Sequence, residues 1–223
     1  MNPKKAVSSN PTTANYYQAT PKAGTGKGVL VLHAWWGLNP FFGGLCERLA
    51  QEGYYALAPD LYHGLTAANI EEAKKLRAKL KQETVSQGIT RAAEQLRTIS
   101  SAGGKAIGVV GFSLGGYYAL WLAEQVAVQV AATVVFYGTR NSDYTDSRSA
   151  FQFHFAETDD YVAASGVKKL QKSLQAAGKE AEFYTYPGTT HWYFEDDRPD
   201  AYQAQAADLA WSRAIEFLKQ HIR

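Results

Sequence analysis

A serine flanked by glycines stands at the end of an apolar run, in the order Gly111-Phe112-Ser113-Leu114-Gly115. The G-x-S-x-G pattern alone is weak evidence, because it arises easily by chance. Here it follows a strand-like run and precedes a helical stretch, and a sharp turn between the two exposes a serine hydroxyl. The flanking glycines allow neighbouring backbone to approach closely. The pattern therefore predicts that Ser113 is a nucleophile; the alternative is a tight turn that only serves helix–sheet packing.

A serine hydroxyl is a weak nucleophile and needs a base that is itself oriented by a third group. The chain has five histidines, and only His191, in YPGTTHWYF, lies late in the chain in a loop after a strand-like run. That loop precedes the last predicted helix, where a hydrolase places its base. The position predicts that His191 is the base; the alternative is that this histidine has only a structural role.

The acids that follow two of the predicted strands are candidates for the orienting group. The run ending FHFAETDDYV supplies Glu157, Asp159 and Asp160 at the carboxyl end of a predicted strand, and Asp143 follows the preceding strand. Asp159 is preferred, with Asp160 second and Asp143 third; each could instead be a loop or helix-capping residue. The resulting chain order of serine, aspartate and histidine is that of the α/β hydrolases.

An oxyanion hole for this serine needs two backbone N–H donors. The residue after the nucleophile, Leu114, is expected to supply one of them. The other is expected from LHAWWGLNPFF, the segment that leaves the first long apolar run, where Gly37 permits a turn.

These residues must be positioned by the elements around them. Short apolar runs are predicted as strands at residues 28–34, 54–59, 105–112, 131–138, 149–156 and 181–187. Helices are predicted near residues 40–52, 69–81, 85–101, 114–126, 165–178 and 202–221. This alternation predicts an α/β fold with a mostly parallel sheet and helices on both faces. In such sheets ligands bind at the carboxyl ends of the strands, where the proposed residues lie.

Composition excludes several classes of function. The chain has 223 residues, and its 23 Lys and Arg against 21 Asp and Glu give no basic excess for nucleic acid binding. The single cysteine, Cys46, allows no intrachain disulfide and is predicted to pack on a helix face. No run approaches the length of about 18 apolar residues that a membrane span needs. We expect one domain over residues 1–223, with about the first 14 residues flexible, and a cytoplasmic location.

The segments LHAWWGLN, LAQEGYYALAPDLYHG, GVVGFSLGG, FAETDDYV and YPGTTHWYF together resemble the dienelactone hydrolase family of the α/β-hydrolase superfamily. The resemblance covers nearly all of the chain after residue 15. It implies an α/β-hydrolase fold that cleaves a carboxylic ester or lactone through Ser113, Asp159 and His191. It also implies that the N–H groups of Leu114 and Trp35 form the oxyanion hole.

Three positions depart from the pattern of the best-known members of that family. They carry cysteine where this chain has Ser113, and a glutamate where it has Ala34. An arginine that holds the substrate carboxylate in those members is here Glu195. We therefore expect this chain to share the fold and the catalytic residues of the family, and hardly at all its lactone substrate.

The expected mechanism needs no metal and no cofactor. Too few residues separate the predicted strands ending at 138 and beginning at 149 for a lid domain. The alternatives are an idle binding module, or a peptidase or acyltransferase that uses the same residues, and the sequence leaves the oligomeric state open. Aromatic residues beside the proposed catalytic loops are candidates for an acyl pocket or for the core: Trp35, Trp36, Phe41, Tyr117, Trp192 and Tyr193.

Overall fold

The computed structural model describes residues 16–100 and 106–222. The flexible segment expected over about residues 1–14 lies outside the described residues. Seven strands form one sheet in the order β1-β3-β2-β4-β5-β6-β7, and every neighbouring pair is parallel except β1 and β3. The strands are β1 (Tyr16–Ala19), β2 (Gly28–Leu32), β3 (Tyr55–Pro59), β4 (Ile107–Phe112), β5 (Val130–Phe136), β6 (Ala150–Ala156) and β7 (Ala181–Tyr186).

Six helices connect or follow these strands: α1 (Pro40–Gln51), α2 (Ile70–Ala78), α3 (Gln82–Ile99), α4 (Leu114–Ala123), α5 (Ala164–Ala176) and α6 (Ala204–His221). The sequence explains where α1 begins. Pro40 occupies the first turn, where no backbone N–H is needed, and the Asn39 side chain accepts a hydrogen bond from the Phe42 N–H at 3.4 Å.

The helices cover both faces of the sheet. Along β2, Val29 and Val31 face one apolar cluster with residues of α1 and α6. Leu30 and Leu32 face a second cluster with residues of α3, α4 and α5. All five residues of β2 are buried, because a parallel strand in the middle of such a sheet is covered on both sides.

All six predicted strands and all six predicted helices are present, and the mostly parallel sheet with helices on both faces is confirmed. The prediction lacked β1, a four-residue edge strand that pairs antiparallel with β3. Residues 137–149, between β5 and β6, form neither helix nor strand, so no lid domain is inserted there. Among the described residues, no helix is long and apolar enough to cross a membrane.

Candidate active site

Ser113 lies in a strained turn between β4 and α4. Its backbone adopts φ 50° and ψ −108°, a conformation that costs free energy for a residue with a side chain. The Ser113 N–H donates to the Phe136 carbonyl of β5 at 3.0 Å, which anchors the turn on the sheet. A Cβ at Gly115 would collide with the backbone carbonyl of Leu32, and one at Gly111 with that of Gly115. The two glycines therefore allow β4 and α4 to hold the serine at the edge of the sheet.

His191 connects the serine with an aspartate. Its Nε2 lies 3.0 Å from Ser113 Oγ, and its Nδ1 lies 2.7 Å from Asp159 Oδ2. Because an ionised carboxylate only accepts hydrogen bonds, Nδ1–H donates to Asp159, and Nε2 of the neutral imidazole accepts from the serine hydroxyl. The His191 and Asp159 side chains are 2% and 7% exposed. The pair is thus largely shielded from water and oriented towards Ser113.

The structure brings Asp159 to His191, whereas Glu157 accepts a hydrogen bond from the Gly188 N–H at 2.9 Å. Asp159 Oδ1 accepts from the N–H groups of Tyr161 at 2.8 Å and Val162 at 2.9 Å, which leaves Oδ2 for the imidazole. Asp143 is exposed and accepts from the backbone and hydroxyl of Thr145. Asp160 is also exposed and lines a neighbouring cavity.

Trp35 and Leu114, the expected oxyanion donors, line the same cavity as Ser113. Neither backbone N–H donates to an acceptor among the described residues. Both N–H groups therefore remain candidates for the oxyanion hole.

A buried histidine fixes the loop that carries Trp35. His33 Nδ1–H donates to the Ala34 carbonyl at 2.6 Å, and its Nε2 accepts from the Leu61 N–H at 3.1 Å. Burial lowers the pKa of His33, so the imidazole stays neutral and can accept from Leu61. The loop turns at Gly37, whose φ of 92° favours glycine.

The Ser113 cavity has a volume of about 430 Å³. Of the predicted pocket residues, Tyr117 lines it and stacks under the Arg140 guanidinium at 4.8 Å. Trp36 and Trp192 instead line a second cavity of about 890 Å³. Phe41 lines neither cavity; it is half-buried and packs against core residues Phe42 and Phe112, with ring centroids 5.0 and 6.2 Å away.

A buried tyrosine–glutamate pair lies behind His191. The Tyr137 ring is 4.7 Å from the imidazole, and its hydroxyl donates to Glu195 Oε1 at 2.7 Å. Burial raises the pKa of Glu195 to about 8; nearby Asp197 raises it too, while the Tyr137 hydrogen bond and Arg198 act in the opposite direction. A residue that replaces a substrate-binding arginine in the family pattern is thus fully enclosed here. Tyr193, expected at the pocket, is also buried, 5.7 Å from Tyr137.

Two residues at the site were not identified from sequence. Tyr161 lies over His191 with ring centroids 4.9 Å apart, and Tyr137 lines the Ser113 cavity from the end of β5. A signal existed for both, because each follows a strand at the carboxyl edge of the sheet, where the catalytic candidates were sought.

The parallel sheet, the strained Ser113 turn and the loops at its carboxyl edge define this chain as an α/β hydrolase. The crystal structure of a "Putative Dienelactone Hydrolase" from Klebsiella pneumoniae is similar, with a TM-score of 0.81 and 25% identity over 93% of both chains.

A model of the dienelactone hydrolase family matches residues 15–222, and the chain belongs to that family. It is 32% identical to "Protein usf" of Aquifex pyrophilus, over 92% of this chain and 93% of that one. It is 30% identical to a "Putative carboxymethylenebutenolidase" of Aquifex aeolicus, over 93% of each chain. Family membership makes it a hydrolase of the ester and lactone type.

Proposed function

We propose that this chain is a serine hydrolase that cleaves small carboxylic esters or lactones through an acyl-enzyme, within a single domain. The observation that carries the proposal is the continuous hydrogen-bonded connection from Ser113 Oγ through His191 to Asp159, at 3.0 and 2.7 Å. Both distances lie in the range that proton transfer and orientation of a base require.

In the proposed reaction, Ser113 Oγ attacks the ester carbonyl carbon while His191 Nε2 takes its proton. Asp159 stabilises the imidazolium that forms. The negative charge on the carbonyl oxygen is stabilised by the N–H groups of Trp35 and Leu114. When the bond to the leaving oxygen breaks, Nε2–H protonates that oxygen and the acyl group remains on Ser113.

Water then completes the reaction. His191 removes a proton from a water molecule, the resulting hydroxide attacks the acyl carbon, and Ser113 leaves with the proton returned by His191. A lactone follows the same path, except that its leaving oxygen remains attached to the acyl group.

The Ala34 position suits a serine nucleophile. A thiol needs control of its ionisation because its thiolate is reactive, whereas a hydroxyl keeps its proton until the base acts. Ala34 is buried and directly precedes Trp35 in this loop, and a carboxylate at that position would destabilise the negatively charged oxyanion.

Hydrolysis of p-nitrophenyl acetate in a stopped-flow instrument tests the proposal. We expect a burst of one nitrophenolate per active site, followed by slower turnover as the acetyl-enzyme is hydrolysed. Asp159→Asn should reduce kcat on the order of 10⁴-fold, because the amide favours the wrong imidazole tautomer. Asp143→Asn, an exposed aspartate in another loop, is the matched control and should leave kcat unchanged. Near-normal turnover in Asp159→Asn would contradict the proposed role of this residue.

A further inference from the structure

Two cavities lie on either side of Tyr161. This residue lines both the 430 Å³ cavity of Ser113 and the 890 Å³ cavity beyond it, and no other described residue is shared between their walls. The ring contacts the aromatic side chains of His191 and Trp192, with centroids 4.9 and 4.8 Å apart. Tyr161 is 46% exposed, so its ring is not locked in place by the core.

The larger cavity adjoins the side from which the alcohol leaves. In the proposed reaction His191 donates a proton to the leaving oxygen, so the alcohol part of the ester must lie against the imidazole. His191 and the following Trp192 both line the larger cavity. An alcohol too large for the Ser113 cavity therefore extends past Tyr161 into this space.

The wall of the larger cavity carries an excess of negative charge. Two of its four carboxylates are compensated: Glu71 pairs with Lys74 at 2.9 Å, and Asp197 with Arg198 at 3.1 Å.

The other two, Asp160 and Asp200, are exposed and have no ion-pair partner among the described residues. Arg198 is the cationic side chain in the wall, and it is already paired. The space therefore repels anions and attracts cations.

Aromatic side chains form the rest of the attractive wall. Trp36, Trp192 and Tyr161 line the cavity, and the Arg198 guanidinium lies 4.0 Å above the Trp36 ring. Because Arg198 covers Trp36, which is 3% exposed, half-buried Trp192 and exposed Tyr161 are the rings left to contact an ammonium group of a ligand.

We propose that this acidic and aromatic cavity is the subsite for the alcohol part of the ester, and that it selects alcohols carrying a positive charge. The inference rests on the proposed function, since it requires an ester bound to Ser113 with its leaving group beside His191.

A matched pair of esters tests the proposal. Acetylcholine and 3,3-dimethylbutyl acetate share their shape and acyl group and differ by one positive charge. At low ionic strength we expect kcat/KM for acetylcholine to exceed that of the neutral ester by about fivefold or more. The preference should shrink as salt is added, because the carboxylates are exposed. The double variant Asp160→Asn with Asp200→Asn should reduce the ratio towards one, while the exposed Asp146→Asn control should retain it.

The other outcomes separate the two proposals. Equal rates for the pair, or a preference for the neutral ester, would overturn charge selection. If both bulky esters are inert while p-nitrophenyl acetate is cleaved, the subsite is wrong and the proposed function stands. If no ester is cleaved, the proposed function fails and the subsite with it.

Discussion

Replacing Glu195 by glutamine removes a carboxyl that is fully buried behind His191. The amide keeps the size of the side chain and an oxygen that accepts from the Tyr137 hydroxyl, whose bond to Glu195 Oε1 is 2.7 Å. The variant therefore removes one ionisation and little packing. The difference in free energy of unfolding between this variant and the wild type should therefore depend on pH, and the burial of Glu195 sets the direction of that dependence.

Burial raises the pKa of Glu195 from its ordinary value of 4.5 to about 8. Between these values the folded protein keeps the proton while the unfolded chain has lost it. Unfolding then releases a proton, so the free energy of unfolding of the wild type falls as pH rises. The loss is about 1.4 kcal/mol per pH unit and about 5 kcal/mol in total, with no further change once both states are ionised.

Urea denaturation of wild type and Glu195→Gln at a series of pH values from 5 to 9 measures this effect. We expect the variant to gain stability relative to the wild type up to about pH 8 and the difference to level off above it. Contributions from buried His33 and His154, whose pKa values burial lowers, cancel because both proteins contain them.

Glu94→Gln, which changes an exposed glutamate on α3, is the control and should alter stability by less than about 0.5 kcal/mol at every pH. A difference between wild type and Glu195→Gln that does not vary with pH would refute the reasoning, because Glu195 would then ionise alike in the folded and unfolded states.

Three further predictions follow from the architecture. Gly115→Ala should lower the free energy of unfolding, measured by urea denaturation, by more than about 3 kcal/mol, because the added Cβ collides with the backbone of Leu32. Gly44→Ala is the control: Gly44 has open space around it in α1, so this substitution should be neutral or stabilising. Iodoacetamide should leave ester hydrolysis unchanged under native conditions, because Cys46 is fully buried and burial raises the pKa of its thiol well above the usual range; inactivation would contradict this. Short acyl esters should be preferred without a rate jump on emulsified long-chain substrate, because residues 137–149 form no lid; such a jump would indicate a cover over the site.

The inner strands of the sheet could be predicted because runs such as β2 and β4 are apolar on both faces. The β2 segment contains no polar residue that would argue against a buried strand, and strands and helices alternate regularly along most of the chain. β1 escaped prediction because an edge strand of four residues, with exposed Gln18 in the middle, lacks that signature. Its place beside β3 depends on hydrogen bonds to residues distant in sequence, which the local sequence pattern does not reveal.

The candidate catalytic residues could be located because each follows a strand at the carboxyl edge of the sheet. The choice of Asp159 over Asp160 depends on loop geometry, since Tyr161 and Val162 donate to one and not to the other. Which aromatic residues line the site and which pack against the core could not be predicted from sequence. Phe41 and Tyr161 both lie near catalytic loops in the sequence, and only tertiary packing places Phe41 against the core and Tyr161 over His191.

The measurement that tests the serine nucleophile most directly is labelling with a fluorophosphonate, followed by mass spectrometry of the intact protein and its peptides. We predict one adduct per chain, on Ser113, with loss of ester hydrolysis in proportion to labelling. Ser113→Ala should fold, take up no label and retain only the residual rate that the oxyanion hole and binding provide. An adduct on another residue, or a Ser113→Ala variant that keeps a tenth of the wild-type kcat, would contradict the account.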